Sequence, residues 1–165
     1  MTDAVNPSMH IRISISRQSL ELWRDAVCLI TYPVSTALKG AGEQKNSGCT
    51  PRGKHLIRAK IGAGKPLNTV FMGRRDTGEV YSAELAGRYP QRDWILTRIL
   101  WLSGCEIGRN RLSCVDTMQR YIYIHGTPDS EPMGQPLSHG CIRMRNVDVV
   151  DLFERISVGT FVLIE

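Results

Sequence analysis

The sequence predicts a mainly β protein with few short helices, and three observations support this fold class. Ile11, Ile13 and Ile15 alternate with polar residues, which is typical of a strand that buries one face. Leu20 and Leu22 alternate with Glu21, and further short strand-like segments lie between turn-forming residues, at 27–30, 55–57, 95–102, 121–124 and 161–164. Helical periodicity is clear in a single segment, at 147–157.

The first strands are short and closely spaced, which favours antiparallel pairing. Residues 39–53 are rich in glycine and polar residues and are predicted to form a loop, which ends in the turn Thr50-Pro51-Arg52-Gly53. Residues 62–87 contain several glycines and are expected to form a long irregular excursion, of the kind that often serves as a lid or binding loop. The strand at 121–124 is expected to present His125 at its C-terminal end.

The predicted helix at 147–157 has start and stop signals. Asn146 is a candidate N-cap, and Asp148 would lie in the first turn, where a negative charge is favourable. Gly159 is expected to end the helix before a terminal strand. One apolar face is formed by Val149, Leu152, Phe153 and Ile156.

The length of 165 residues fits one domain. We expect a short N-terminal tail at residues 1–10 and a single domain at 11–165. The net charge of +5 is spread along the chain, so the surface should attract anions such as carboxylates. Nucleic acid is not an expected partner, because no stacking aromatics interleave with the arginines.

Neither a leader nor an apolar run of about 18 residues is visible, so no membrane segment is expected. A cytoplasmic location follows from this pattern, and a periplasmic one would follow if a leader had been removed. The oligomeric state is left open.

The chain has 5 cysteines, an odd number, so at least one thiol is free and reduced thiols are expected. Cys105 and Cys114 are close enough in sequence to pair around a short loop. Cys28 lies in an apolar run and is predicted to be buried.

The segment Ser138-His139-Gly140-Cys141 is the strongest candidate for chemistry. Cys141 is the candidate nucleophile, and His125 is the candidate base that would take the thiol proton. The turn that follows His125 at Gly126 is expected to expose its ring. Gly140 allows close approach of the backbone, and the N–H groups around it could hold an oxyanion.

Two further side chains in this region have open roles. His139 could act directly or contribute only a backbone or structural hydrogen bond. Arg143 could hold a substrate carboxylate as a bidentate pair, or it could be a solvated surface arginine. A zinc site at His125, His139 and Cys141 lacks the paired spacing of known zinc motifs, so neither a metal nor a cofactor is expected.

These residues resemble the signature of the L,D-transpeptidase catalytic domain, the YkuD family. The match consists of His125-Gly126-Thr127, Ser138-His139-Gly140-Cys141-Ile142-Arg143-Met144, the turn at 50–53 and the segment Tyr32-Pro33-Val34-Ser35-Thr36. The resemblance covers roughly residues 11–165. It implies a β-sandwich-like fold of mixed sheets and a single catalytic domain.

The resemblance also implies roles for the matching residues. Cys141 would be the nucleophile, His125 its base, and the Gly126 carbonyl would orient the histidine. The N–H groups of His139, Gly140 and Cys141 would line the oxyanion hole, with Ser138 in the same motif and Arg143 as a carboxylate clamp. A papain-like peptidase is disfavoured because its cysteine precedes its histidine, and a binding module without catalysis is disfavoured because the motif is intact.

The implied substrates are peptidoglycan stem peptides or muropeptides. The implied reaction is attack on the L,D bond between meso-diaminopimelate and the terminal D-Ala of a tetrapeptide stem. Hydrolysis, as in an L,D-carboxypeptidase of peptidoglycan recycling, is favoured over transpeptidation, which would form 3-3 cross-links or exchange D-amino acids. Carbapenems are expected to form a covalent adduct with the cysteine.

Overall fold

The structure, a computed structural model, describes residues 8–165 and is mainly β, as predicted. The strands are β1 (Met9–Ser14), β2 (Ser19–Arg24), β3 (Val27–Pro33), β4 (Gly53–Ile61), β5 (Thr69–Met72), β6 (Arg75–Val80), β7 (Ile95–Gly104), β8 (Tyr123–Gly126), β9 (Ile142–Met144) and β10 (Phe161–Ile164). The α-helices are α1 (Ala83–Arg88) and α2 (Asn146–Arg155), with a single 3₁₀ turn at Ser113–Val115.

The strands form a branched mixed sheet in the order β3-β2-β1-β10-β4-β7-β5-β6, with β8 paired to β7 and β9 paired to β8. The pairs β1–β10 and β8–β9 are parallel, and the other pairs are antiparallel. The mixed sheet that the family resemblance implies is therefore present. The long strand β7 is the branch point that carries β8 and β9.

The core lies where α2 packs against β7 and β8. Val149, Leu152 and Phe153 of α2 are buried at helical spacing, as the apolar pattern predicts. They meet fully buried side chains of the strands, among them Ile11, Ile13, Ile57, Leu100, Leu102, Ile124, Ile142 and Met144. Each such side chain contributes about 1.5–3 kcal/mol through burial, so the β8–β9 pair rests on a firmly packed support.

The segment at 62–87 is more regular than predicted. It contains the hairpin of β5 and β6 followed by α1. The pairing of Met72 with Arg75 leaves a two-residue turn, Gly73-Arg74, in which both residues have positive φ (54° and 65°). Such turns match the twist of a hairpin. The prediction of an irregular excursion was wrong because β6 is polar and has no clear alternation.

Asn146 was predicted to be the N-cap of α2, but it is the first residue of the helix. Arg145 occupies the N-cap position. The Asn146 side chain is buried and its amide donates to the Asn68 side chain at 3.0 Å and to the Thr127 carbonyl at 2.9 Å. It therefore ties the start of α2 to the segment after β8.

Cys28 is exposed, so the prediction that it is buried was wrong. The reason is that β3 is the outermost strand of the sheet, where apolar residues keep contact with solvent. Cys105 and Cys114, the candidate pair, are both free and exposed.

The predicted tail at 1–10 falls partly outside the described residues, because these begin at residue 8. Its last two residues belong to β1, which starts at Met9. None of the helices within residues 8–165 is both long and apolar enough to span a bilayer.

Candidate active site

The parallel pair β8–β9 places the predicted catalytic residues side by side. His125 is in register with Arg143, and Ile124 with Ile142. Successive side chains of a strand point to opposite faces. Because Ile124 and Ile142 enter the core, His125 and Arg143 point to the other face.

That other face opens into a cavity of about 430 Å³. His125, Ser138, His139, Cys141 and Arg143 all line it, so the structure brings together every predicted site residue that acts through a side chain. The cavity is completed by Gly73, Arg74, Asp93, Ile95, Arg120, Tyr121, Ile122 and Tyr123.

His125 lies within β8 and is 1% exposed, so the expectation that a following turn would expose it was wrong. The strand begins and ends two residues later than predicted, which places the ring inside the sheet. Nδ1 lies 2.6 Å from the Gly126 carbonyl oxygen and donates to it. This leaves Nε2 as the nitrogen with a lone pair. Burial lowers the pKa of His125, so the ring is neutral near pH 7.

The Cys141 sulfur has two hydrogen-bond contacts with neighbouring backbone. Sγ accepts from the Tyr123 N–H at 3.4 Å and donates to the Tyr121 carbonyl at 3.5 Å. Within residues 8–165, Sγ makes no hydrogen bond to His125. Burial raises the pKa of the Cys141 thiol to about 12, outweighing the Tyr123 N–H and the nearby guanidinium groups. The resting site thus holds a neutral thiol and a neutral imidazole that line the same cavity.

Ser138 and Thr50 fix the loop that carries Cys141. Ser138 Oγ donates to the Cys141 carbonyl at 2.6 Å and accepts from the Gly140 N–H at 3.2 Å. Thr50 Oγ1 donates to the Gly140 carbonyl at 2.9 Å, which links the predicted turn at 50–53 to the motif. Because the Gly140 N–H is already engaged, the N–H groups of His139 and Cys141 are the remaining oxyanion donors of the three predicted.

Position 140 requires glycine, because a residue with a side chain would be unfavourable there. Its φ of 134° is unfavourable for other residues, and a Cβ atom there would approach the Cys49 carbonyl oxygen to 3.2 Å. The motif glycine therefore lets the loop pass close to the segment before Thr50.

Arg143 is only 8% exposed, so it is not a solvated surface arginine. Its Nη2 donates to Asp93 Oδ1 at 3.1 Å, and its Nη1 donates to the Leu137 carbonyl at 3.4 Å. Asp93 Oδ2 also lies 3.6 Å from Nδ1 of His139, whose side chain is 76% exposed. The predicted carboxylate clamp thus already has an internal carboxylate partner.

Sequence reasoning missed three charged residues of this cavity: Arg74, Asp93 and Arg120. Asp93 lies in no motif, and Arg120 precedes a strand without any pattern to mark it. Only the adjacent pair Arg74-Arg75 was visible as a local basic feature. Arg74 and Asp93 are distant from the motif in sequence, and Arg120 belongs to no pattern, so none of the three could be assigned to the site from the sequence.

No group of three or more His, Cys, Asp or Glu side chains within residues 8–165 is placed to hold a metal ion.

The fold and the site define a mainly β enzyme in which a cysteine and a histidine share one cavity. A family model for the YkuD L,D-transpeptidase catalytic domain matches residues 8–164. The chain therefore belongs to the YkuD family and is an enzyme of the L,D-transpeptidase family.

Two curated relatives match a short part of the chain. YqjB of Bacillus subtilis strain 168, which carries the name of an L,D-transpeptidase, is 58% identical over 41 residues, or 25% of this chain and 23% of that protein. YbiS of Escherichia coli strain K12, named likewise, is 49% identical over 41 residues, or 25% of this chain and 13% of that protein. The match thus spans less than a quarter of either relative.

Solved structures extend the likeness to the whole fold. L,D-transpeptidase 3 from Mycobacterium tuberculosis, solved with a faropenem-derived adduct, has a TM-score of 0.58 at 16% identity. The alignment covers 96% of this chain and 60% of that one. At this identity the likeness supports the fold.

Proposed function

We propose that this chain is a cysteine acyl-transfer enzyme that cleaves the L,D bond between meso-diaminopimelate and the terminal D-Ala of peptidoglycan stem peptides, with water as the preferred acceptor. The observation that carries the proposal is the shared cavity of Cys141 and His125, in which the Gly126 carbonyl holds the imidazole. A thiol in a loop that hydrogen bonds fix and an oriented base on a strand form the minimal machinery for attack on a peptide carbonyl.

The first step converts the neutral pair into a nucleophile. As the substrate carbonyl approaches Sγ of Cys141, Nε2 of His125 takes the thiol proton, and a bond forms between sulfur and the carbonyl carbon. The negative charge moves to the carbonyl oxygen, where the N–H groups of His139 and Cys141 stabilise it. The Gly126 carbonyl stabilises the resulting imidazolium through Nδ1–H.

The second step expels D-Ala. The C–N bond breaks, His125 returns its proton to the leaving amine, and a thioester remains on Cys141. The neutral imidazole then takes a proton from a water molecule as the water oxygen attacks the thioester carbonyl. The C–S bond breaks, and the imidazolium returns the proton to the leaving sulfur, which gives the tripeptide acid and the free thiol. Water is present at far higher concentration than any amine, which supports hydrolysis.

Transpeptidation is the second candidate, and one feature of the structure favours it. Another cavity of about 430 Å³ adjoins the first and shares Asp93, His139 and Arg143 with it. A donor stem in the first cavity and an acceptor stem in the second would bring an amine to the thioester. The products would then be 3-3 cross-linked dimers or stems with an exchanged D-amino acid.

We also propose a cytoplasmic location, where the substrates would be soluble stems or muropeptides. All 5 cysteines are free, and Cys28, Cys105 and Cys114 are exposed. Exposed thiols persist in a reducing compartment, which supports this assignment. Recovery of the native protein with periplasmic markers would contradict it.

Carbapenems are proposed as covalent ligands of Cys141. The faropenem-derived adduct of the Mycobacterium tuberculosis relative supports this proposal by analogy. A strained β-lactam offers the thiol an activated carbonyl in place of the peptide bond.

The decisive experiment incubates the protein with a diaminopimelate tetrapeptide, alone and with a D-amino acid or a second stem, and resolves the products by mass. We expect tripeptide and free D-Ala to dominate in every case. Cys141→Ala is the control and should give no product while its thermal unfolding stays close to that of the wild type. If cross-linked or exchanged products dominated, the proposed reaction would be transpeptidation instead of hydrolysis. Full activity in Cys141→Ala would refute the acyl-transfer mechanism.

A further inference from the structure

Three guanidinium groups line the cavity of Cys141, and they differ in how many of their donors are engaged. Arg143 donates to Asp93 and to a backbone carbonyl. Arg120 donates from both terminal nitrogens to the segment before Thr50, including the Cys49 carbonyl at 2.7 Å and the Ser47 hydroxyl at 3.3 Å. These two arginines serve the protein's own structure.

Arg74 is different. Its one hydrogen bond within residues 8–165 runs from Nη1 to the Tyr123 hydroxyl at 3.0 Å, and it has no carboxylate partner there. A guanidinium has five N–H donors in a planar fork that matches a carboxylate. Arg74 therefore brings an uncompensated positive charge and several available donors to the cavity.

The surroundings of Arg74 hold this charge in place. Its guanidinium carbon lies 4.7 Å from the ring centroid of Trp101 and 4.7 Å from that of Tyr121. Aromatic faces attract cations and displace water from one side of the group. A partly desolvated guanidinium gains more from a carboxylate than one in open solvent does.

The backbone of Arg74 also departs from what its turn prefers. With a φ of 65°, Arg74 occupies a turn position that usually carries glycine or asparagine. A long basic side chain at this position gains nothing for the turn itself. Its side chain instead reaches from the β5–β6 turn to the cavity.

Tyr123 sets the distance between Arg74 and the reacting sulfur. Its hydroxyl accepts from Arg74, while its backbone N–H donates to Sγ of Cys141. Arg74 is thus about one tyrosine side chain away from the thiol. This distance is longer than the distance between the attacked carbonyl and the D-Ala carboxylate. It matches the distance from the attacked carbonyl to a carboxylate at the far end of a diaminopimelate side chain.

We propose that Arg74 is a specificity residue that binds the side-chain carboxylate of diaminopimelate in the acyl donor. This inference rests on the proposed function, since it names the part of that substrate that Arg74 recognises. The carboxylate would receive two N–H donors from the guanidinium, and Trp101 and Tyr121 would flank the pair.

The test compares two tetrapeptides, one with the free side-chain carboxylate of diaminopimelate and one with the corresponding carboxamide. The variant is Arg74→Asn, because asparagine tolerates positive φ and preserves the turn. We expect the wild type to prefer the carboxylate by about 10-fold to 100-fold in kcat/KM, as charged hydrogen bonds suggest. Arg74→Asn should lose this factor on the carboxylate, mainly through KM, and should treat the carboxamide as the wild type does.

Arg75→Asn is the matched control, because Arg75 is the exposed neighbour on the same hairpin and does not line the cavity. It should keep the wild-type preference. The proposal is overturned if Arg74→Asn still prefers the carboxylate, or if the wild type does not distinguish the two peptides.

Failure of the proposed function would look different, as neither peptide would be turned over by the wild type. In that case the affinities of both peptides for Cys141→Ala protein, measured by calorimetry with and without Arg74→Asn, decide the matter. Carboxylate preference that depends on Arg74 supports the proposal, and equal or absent binding overturns it.

Discussion

At the scale of single residues, the resting site contains Cys141 as a neutral thiol and His125 as a neutral imidazole. Burial disfavours the charged form of both groups, raising the pKa of Cys141 and lowering that of His125. An ion pair in the resting enzyme would need compensation that the Gly126 carbonyl and the Tyr123 N–H do not supply in full. Charge is therefore expected to develop only when substrate brings its carbonyl to the oxyanion donors.

This electrostatic state predicts how Cys141 reacts with iodoacetamide. The thiolate is the reacting form, and below a pKa of about 12 its fraction grows about tenfold per pH unit. The alkylation rate of Cys141 should therefore rise continuously between pH 7 and pH 10. Peptide mass mapping of quenched samples measures it, with exposed Cys28 in the same digest as the reagent control.

The variant His125→Ala tests whether His125 takes the Cys141 proton only during turnover or already in the resting enzyme. Turnover should be lost because the base is gone, while the alkylation profile of Cys141 should keep rising to pH 10. A plateau below pH 8 in the wild type that disappears in His125→Ala would show a preformed thiolate and imidazolium instead.

At the scale of elements, the site depends on the close contact of β8 with β7 and with the start of α2. Gly126 lies at this contact. A Cβ atom there would collide with Asn146 Oδ1 and would lie 2.6 Å from the Leu96 carbonyl oxygen. Packing thus requires glycine at this position, and the close packing also fixes the backbone carbonyl that orients His125.

Gly126→Ala is expected to lower stability by about 1–3 kcal/mol, the usual cost of overpacking. For a chain of this size that corresponds to a fall in Tm of roughly 2–12 °C. Turnover should fall as well, because the carbonyl that holds Nδ1 of His125 must move. Calorimetry and the tetrapeptide assay on the same preparation measure both effects.

Gly87→Ala is the matched control in α1, where an added Cβ meets nothing within 4 Å. It should leave Tm and turnover unchanged or raise Tm slightly, since alanine favours helix. Equal behaviour of the two variants would show that the contact at Gly126 is not tight.

The elements that sequence could predict are those with a strong period. β1, β7, β10 and α2 have apolar residues at the spacing of a strand or helix, and they form where expected. The β5–β6 hairpin has no such period, because β6 is polar and the turn is specified by two positive φ values. The role of Asn146 also escaped prediction, since its partners Asn68, Thr97 and Thr127 come from three distant segments.

The candidate site likewise contains some residues that the sequence could predict and others that it could not. Cys141, His125 and their flanking residues were predictable because they lie in a short sequence signature. His125 belongs to β8, and Cys141 directly precedes the paired strand β9. Asp93, Arg120 and Arg74 reach the cavity only through tertiary folding. The burial of His125 was likewise invisible, because it depends on where β8 begins within an apolar run.

At the scale of the whole molecule, the chain presents five thiols in very different surroundings. Cys28, Cys105 and Cys114 are exposed, Cys49 and Cys141 are half-buried, and Cys141 lines the cavity. The thiols that react fastest with a small reagent are therefore expected to differ from the thiol that reacts with substrate. A small alkylating reagent near neutral pH should favour exposed thiols, since burial disfavours the Cys141 thiolate.

A carbapenem should reverse that order and label Cys141 alone. Its β-lactam carbonyl would lie between Sγ and the N–H groups of His139 and Cys141, and His125 would take the thiol proton, which the half-buried thiol does not lose readily by itself. Exposed thiols have neither a base nor oxyanion donors beside them. Intact mass should therefore rise by one inhibitor equivalent, and peptide mapping should place it on Cys141. Cys141→Ala should stay unlabelled with its other four thiols intact, whereas label on Cys28 or Cys105 would mean that exposure, not the site's geometry, governs acylation.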